Sequence, residues 1–265
     1  MISLTENIHK TVSKELKHRL RQLATKYETS DFMKDDPSQF MHRYHEPLDV
    51  EITAFLAANL AFGRRSCILN CLDRLCQEMG EAPSEWLLSK RYETFFPDSP
   101  KSFYRIYSYR NMRYLCETFR QLVINYGSLG AYCQSRNEAG DCAKEAGRLA
   151  AVIADCFPDE CKPLISNGKT SANKRLNLFL RWMVRQNSPV DLGLWVWYPA
   201  DQLLMPLDTH VVDVAKEFGL IAENATPNLK LAIHLTDIMS KIFPGDPLKG
   251  DFALFGHGTK LNAEC

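Results

Sequence analysis

The sequence predicts an all-α fold, a compact two-lobed helical bundle, and three observations predict it. Apolar residues recur at helical spacing through most of the chain. Ser, Asp, Pro and Gly break that pattern at short intervals, so the helices are short and frequently capped rather than continuous as in a coiled coil. No stretch alternates apolar and polar residues convincingly enough for a strand, and no internal repeat or low-complexity tract interrupts the pattern. At 265 residues the chain is long enough for one large domain or two lobes around a substantial core.

Taken in order, residues 5–27 read as a basic amphipathic helix. A strongly apolar helix follows, opened by Asp49 or a neighbour and ending at Gly63. Ser66 starts the next one, which runs to Met79 and Gly80. Pro83 begins a short Ser-Glu-Trp-Leu-Leu segment, and Pro97 and Pro100 punctuate a connection. Further helices are expected over 101–107, 111–126, 128–135, 140–155, 171–186, 190–197, 209–219, 227–242 and 246–256.

Composition narrows the class. Hydrophobic residues make up 45% and charged residues 24%, as in ordinary globular domains. No apolar run reaches the length of a membrane span, and the first ten residues lack the basic-then-apolar layout of an export signal, so a cytoplasmic protein with no membrane partner is expected. Nine cysteines, an odd number without a Cys-x-x-Cys pair, point to reduced thiols rather than a disulfide framework. Cys67, Cys71 and Cys76 fall on a helical pattern and read as small packing residues. His42-Arg-Tyr-His45-Glu46 lacks the spacing of a metal pair on a helix and reads as structural. No metal, iron–sulfur cluster or other cofactor is expected.

Net charge is zero, with 32 Lys and Arg against 32 Asp and Glu, which argues mildly against a nucleic-acid protein. Its distribution argues the other way. Between Cys161 and Val190 there are six basic residues (Lys162, Lys169, Lys174, Arg175, Arg181 and Arg185) and no acidic one. The segment from Lys101 to Arg120 adds Lys101, Arg105, Arg110, Arg113 and Arg120 against one Glu117. For that second segment a solvated helix face is the plainer reading.

One run carries the most chemistry. Residues 204–220 read Leu-Met-Pro-Leu-Asp-Thr-His-Val-Val-Asp-Val-Ala-Lys-Glu-Phe-Gly-Leu, a short connection that delivers Asp208 to the first turn of a helix. Asp208 can cap the free N–H groups there, and the positive end of the helix favours its ionised form. A carboxylate so placed is either a cap alone or the group that steadies a cationic sugar.

The segment Pro-Leu-Asp208-Thr-His-Val is similar to the Val-Asp-Thr-His-Val segment of the helix-hairpin-helix DNA glycosylases, in which this Asp is the catalytic carboxylate. Two further stretches extend the resemblance. Val50–Gly63 is similar to an early apolar glycosylase helix bearing an amide near its end, a position that Asn59 would fill. Asp251-Phe-Ala-Leu-Phe-Gly-His-Gly258 looks like a late glycosylase helix ending in Gly. The likeness touches residues 45–80 and 160–258. It is nearest to an uncharacterised bacterial family that looks related to the archaeal 8-oxoguanine glycosylases.

The resemblance implies a two-lobed glycosylase-type domain: a lobe over 45–160, a hairpin and catalytic segment over 161–220, and closing helices over 221–265. It implies base-excision chemistry on duplex DNA carrying a damaged base, an oxidised purine as first choice, by a monomeric enzyme with lyase activity. The family's nucleophilic lysine opens the helix after a phosphate-binding hairpin. Lys174, heading Lys174-Arg-Leu-Asn-Leu-Phe-Leu-Arg, matches that position, with Lys169 as the other candidate. Such an amine attacks the sugar C1′ in its neutral form. The family's Leu-Pro-Gly-Val-Gly hairpin is replaced here by Leu164-Ile-Ser-Asn-Gly-Lys-Thr-Ser-Ala-Asn-Lys174, in which Asn167-Gly168 can turn and nearby hydroxyls can meet a phosphate. Gly168, Lys169, Arg175, Arg181 and Asn59 are the expected DNA contacts. Trp195, Trp197 and His210 are the expected base pocket, although Trp and Tyr in such a run more often fill a core. Some relatives carry a four-cysteine cluster after their last helix; this chain ends at Cys265 without one, and none is expected. A non-catalytic helix-hairpin-helix-like protein that binds nucleic acid, and an α-helical interaction module in which Asp208 is only a cap, are the alternative readings.

Overall fold

Helix α2 (Pro47–Leu60) is the centre of the molecule, and its sequence explains why. Every residue from Asp49 to Leu60 is buried. A helix apolar on all sides has no solvent face and must be enclosed by its neighbours. The structure, a computed structural model, describes residues 12–144, 148–166 and 170–261. Ahead of α2 lie α1 (Lys14–Tyr27) and two 3-10 turns over Ser30–Asp35 and Pro37–Arg43. After it come α3 (Arg65–Met79), α4 (Pro83–Leu88), α5 (Tyr92–Phe95), a hairpin of β1 (Ser102–Tyr104) and β2 (Tyr107–Ser108), and α6 (Tyr109–Tyr126). The chain continues with α7 (Leu129–Glu138), α8 (Asp141–Lys144), α9 (Arg148–Asp155), α10 (Lys174–Val184), α11 (Thr209–Glu217), α12 (Leu229–Ser240) and α13 (Lys249–Leu261).

Aromatic packing fixes the middle of this arrangement. Phe55 of α2 stacks on Phe119 of α6 at 4.8 Å and on Phe157 at 5.4 Å, and meets the edge of Phe179 from α10 at 5.3 Å. One connected apolar cluster runs from Leu20 to Leu254. Helix α13 closes it, packing along both α1 and α11. Gly256 permits that approach, because a Cβ there would lie 2.4 Å from the Tyr27 ring.

Two carboxylates inside α2 tie other helices to it. Asp49 accepts from the Ser84 N–H at 2.6 Å and so caps the start of α4. Glu51 accepts from the N–H groups of Leu129 and Gly130, at 2.7 and 3.0 Å, and so caps α7 from outside that helix. Its third donor is the Trp195 indole N–H at 3.0 Å. Burial pushes the Glu51 carboxyl above its ordinary pKa, while these three donors pull it back.

The all-α class holds, with three departures from the expected elements. Residues 101–107 form a hairpin rather than a helix. Tyr104 pairs with Tyr107, and the buried Phe103, Tyr104 and Tyr107 rings reach different neighbours, which suits a pleated segment better than two helical turns. Residues 190–197 form an irregular return loop. It folds back on α10, where the Leu192 and Gly193 N–H groups donate to Trp182 O and Trp195 N–H donates to Met183 O at 2.7 Å. These bonds satisfy carbonyls that the helix end leaves open. Gly193 is required, with φ of +63° and a built Cβ lying 2.9 Å from Arg185 O. The helix expected over 140–155 is described as the two pieces α8 and α9, and the expected start at residue 5 lies outside the described residues. No helix among them is long and apolar enough to cross a membrane.

Candidate functional site

Two helix N-termini converge on one ion pair. Residues 203–207 run extended and buried into α11, pinned by the Met205 N–H donating to Thr236 Oγ1 at 3.0 Å. Asp208 then caps the helix: its Oδ1 accepts from the Val211 N–H at 2.9 Å. The other oxygen, Oδ2, lies 3.2 Å from Lys174 Nζ, the first residue of α10. The Asp208 side chain is 11% exposed and that of Lys174 34%, so the amine is the member of the pair that solvent reaches. Asn173, just before it, is held in the left-handed region at φ 44° and ψ 45° and makes no side-chain cap. The Asp208 carboxylate thus sits at the N-terminal end of α11.

Behind Asp208 stands a second, deeper carboxylate. Asp251 of α13 is buried, and burial lifts its pKa to about 6, with Arg181 pulling it down and Asp208 pushing it further up. Arg181 binds Asp251 and, at 3.1 Å, Asp191. Asp191 also pairs with Arg185, which holds Asp246 with two bonds of 2.8 Å and Glu28 at 2.7 Å. Both guanidinium groups stack on the Phe252 ring, at 4.4 and 5.2 Å. Charged groups therefore line α10 from Lys174 to Arg185, with repulsion between Asp208 and Asp251, and no bond, linking the two sets.

That web corrects several sequence-based expectations. Arg181 is not a DNA contact, because its side chain is 2% exposed and committed to two carboxylates. Arg175 is turned inward, donating to the Tyr107 hydroxyl and to Pro163 O at 3.1 Å. Asn59 is fully buried and donates to Phe55 O at 2.8 Å, so it cannot reach a phosphate. Trp195 is a core residue held by Glu51, not part of an open base pocket. Trp197 stacks on it at 5.8 Å and is half-buried, and His210 sits half-buried at the edge of Phe255, 6.2 Å away. Gly168 and Lys169 lie outside the described residues.

Sequence reasoning missed Arg185, Asp191 and Asp251 as a unit, and the Tyr107–Arg175 link. Absence of acid between Cys161 and Val190 was the available signal, since an arginine far from any local carboxylate must find a distant one when buried. A groove of about 520 Å³ opens at the other end of α10, between Arg21, Glu28, Asn187, Pro189 and Asp246, away from Lys174. Among the described residues no three His, Cys, Asp or Glu side chains stand together as a metal site would need.

A family model described as a protein of unknown function, DUF2400, matches residues 36–260. The chain belongs to this family. Its matched stretch contains Lys174, Asp208 and every member of the charge web except Glu28, and begins after α1. No curated protein and no solved structure matches the chain.

Proposed function

We propose that this protein is a base-excision DNA glycosylase with lyase activity, with Lys174 as nucleophile and Asp208 as its carboxylate. The observation that carries the reading is the 3.2 Å approach of the partly exposed Lys174 amine to a carboxylate fixed at the mouth of α11. The reading also rests on the resemblance of both segments to helix-hairpin-helix glycosylases. A damaged base in duplex DNA, an oxidised purine first, is the proposed substrate, and the protein acts as a monomer in the cytoplasm.

Each group has a defined task. Lys174 passes a proton to Asp208, and its free amine bonds to C1′ as the C1′–base bond breaks. The electron pair leaves with the base, which takes the proton that Asp208 has received, so that Asp208 is again a carboxylate. Loss of another amine proton and opening of the C1′–O4′ bond then give a protonated Schiff base, with O4′ leaving as a hydroxyl. While the sugar carries positive charge, the Asp208 carboxylate faces it from a low-dielectric setting, where a fixed charge counts for more than in water.

Borohydride trapping on a panel of duplexes with single oxidised bases tests this. The wild-type chain is expected to form a covalent adduct with at least one duplex. Lys174→Gln is expected to form none while binding the duplex nearly as well, since one amine is a small part of a phosphate-contacting surface. An adduct that survives Lys174→Gln overturns Lys174 as nucleophile. Salt-sensitive binding without any adduct turns the conclusion to a nucleic-acid-binding protein that does not cut.

A further inference from the structure

Residues 52–72, 99–116 and 161–190 contain no Asp or Glu. They are far apart in sequence, and the fold brings them together beside Lys174. The Tyr104 hydroxyl donates to Phe62 O at 2.8 Å, joining the first two. Arg175 binds the Tyr107 hydroxyl, joining the second to the third one residue from Lys174. The hairpin β1–β2 is the hinge of this convergence, and its two-residue tip, Arg105–Ile106, projects from it.

The tip has the properties of a contact arm. Ile106 is 66% exposed, the most exposed of the large apolar side chains besides Val196. Arg105 stacks on the exposed Phe62 ring at 4.8 Å. Arg64, the N-cap of α3, and Arg65, its first residue, are exposed, and Gly63 just before them packs against the Arg105 side chain. Arg110, Arg113 and Arg120, also in the basic segment 101–120, are paired with Asp98, Glu93 and Glu117. Arg64, Arg65 and Arg105 have no carboxylate partner among the described residues. Arg105 also holds φ +55°, in a hairpin position where Gly, Asn or Asp is usual. A cation is thus kept where the backbone favours none.

We propose that the Arg105–Ile106 tip, with Arg64 and Arg65, grips duplex DNA beside the Lys174 site, the three guanidinium groups on phosphates and Ile106 against the base stack. The inference rests on the glycosylase reading for its choice of partner. Unpaired guanidinium groups beside an exposed aliphatic and an aromatic side chain match a polyanion with apolar bases.

The test is fluorescence anisotropy of the full chain with a labelled duplex containing a tetrahydrofuran abasic analogue, titrated over salt. Arg64→Ala/Arg65→Ala/Arg105→Gly removes the three charges, and Gly at 105 suits the left-handed backbone. That variant is expected to bind at least ~10-fold more weakly, with the salt slope reduced by about 2 to 3, one charge per phosphate. Ile106→Ser is expected to weaken binding to the abasic duplex more than to the intact duplex. Wild-type affinity and slope in the triple variant, with its circular dichroism unchanged, would overturn the proposal, as would tighter binding of an RNA duplex of the same sequence. Trapping separates the two readings. An adduct formed equally well by the triple variant removes the surface and keeps the enzyme, whereas weakened binding without any wild-type adduct keeps the surface and removes the enzyme.

Discussion

The two ends of α10 carry the same kinds of residue and use them in opposite ways. At the start, Lys174 makes one ion pair and keeps a third of its side chain in solvent. Two to three turns later, Arg181 and Arg185 are sealed from solvent and share four carboxylates, from Glu28, Asp191, Asp246 and Asp251. The first arrangement leaves a charge available; the second spends every charge on holding α1, α10, the return loop and α13 together. Burial decides the difference. A guanidinium presents five donors in a rigid fork and can be fully satisfied by several carboxylates, so it tolerates the interior, whereas a lysine ammonium is more strongly hydrated and stays near water.

The largest effect expected from that contrast is on stability. Arg185→Ala leaves Asp191, Asp246 and Glu28 without their shared cation in a dry setting, and should cost about 3–5 kcal/mol in denaturant unfolding. Lys174→Gln removes a partly exposed pair and should cost less than about 1 kcal/mol. If urea melts place the two variants within experimental error of each other, the division between a structural and an available end of α10 is wrong.

The next effect is on rate. Asp208→Asn keeps an N-cap acceptor for the Val211 N–H, so unfolding should hardly change. It removes the charge that faces the sugar, and single-turnover cleavage should fall by ~100-fold or more. Asp208→Ala adds the loss of the cap, about 1 kcal/mol of stability. A residue that is only a cap would reverse the pattern, with Asn silent in every assay and Ala merely less stable.

The contrast also explains what the sequence made legible. Asp208 and Lys174 stand at helix starts, and a helix start is a local event: a proline-leucine lead, a capping residue and an apolar face behind it can be read within one run. The same locality made α2 legible, because a helix with apolar residues on every face has only one possible environment. Arg181 and Arg185 could not be sorted from Lys174 in this way. Their partners lie 6, 10, 61, 70 and 157 residues away, all outside α10, so nothing on their own helix marks them as buried. Asn59 misled for a related reason. An amide near the end of an apolar helix looks like a site residue, but it satisfies its donor four residues back, on Phe55 O. Residues 101–107 and 190–197 fit a helix by sequence because short aromatic runs suit either period, and only tertiary contacts (Tyr107 with Arg175, Trp195 with Glu51) decide between them.

Asp251 joins the two ends, and its titration is the finest probe of their coupling. Its ordinary pKa of 3.8 rises to about 6 in the fold, chiefly through burial. A carboxyl raised in this way binds its proton more tightly when folded. Its contribution to stability is therefore complete below pH 3.8 and lost as pH rises through about 6. Asp251→Asn cannot titrate but can still accept from Arg181. The stability of the wild-type chain relative to this variant should thus fall by about 2 kcal/mol between pH 4 and pH 7. Asp208 is one of the charges that push Asp251 upward, so in an Asp208→Asn background the loss should be smaller and should be complete at a lower pH. A relative stability that is flat from pH 4 to pH 7 would show Asp251 ionised throughout. An unshifted profile in the Asp208→Asn background would show the open end of α10 and its buried end to be electrically separate, and Lys174 would then owe nothing to the web behind it.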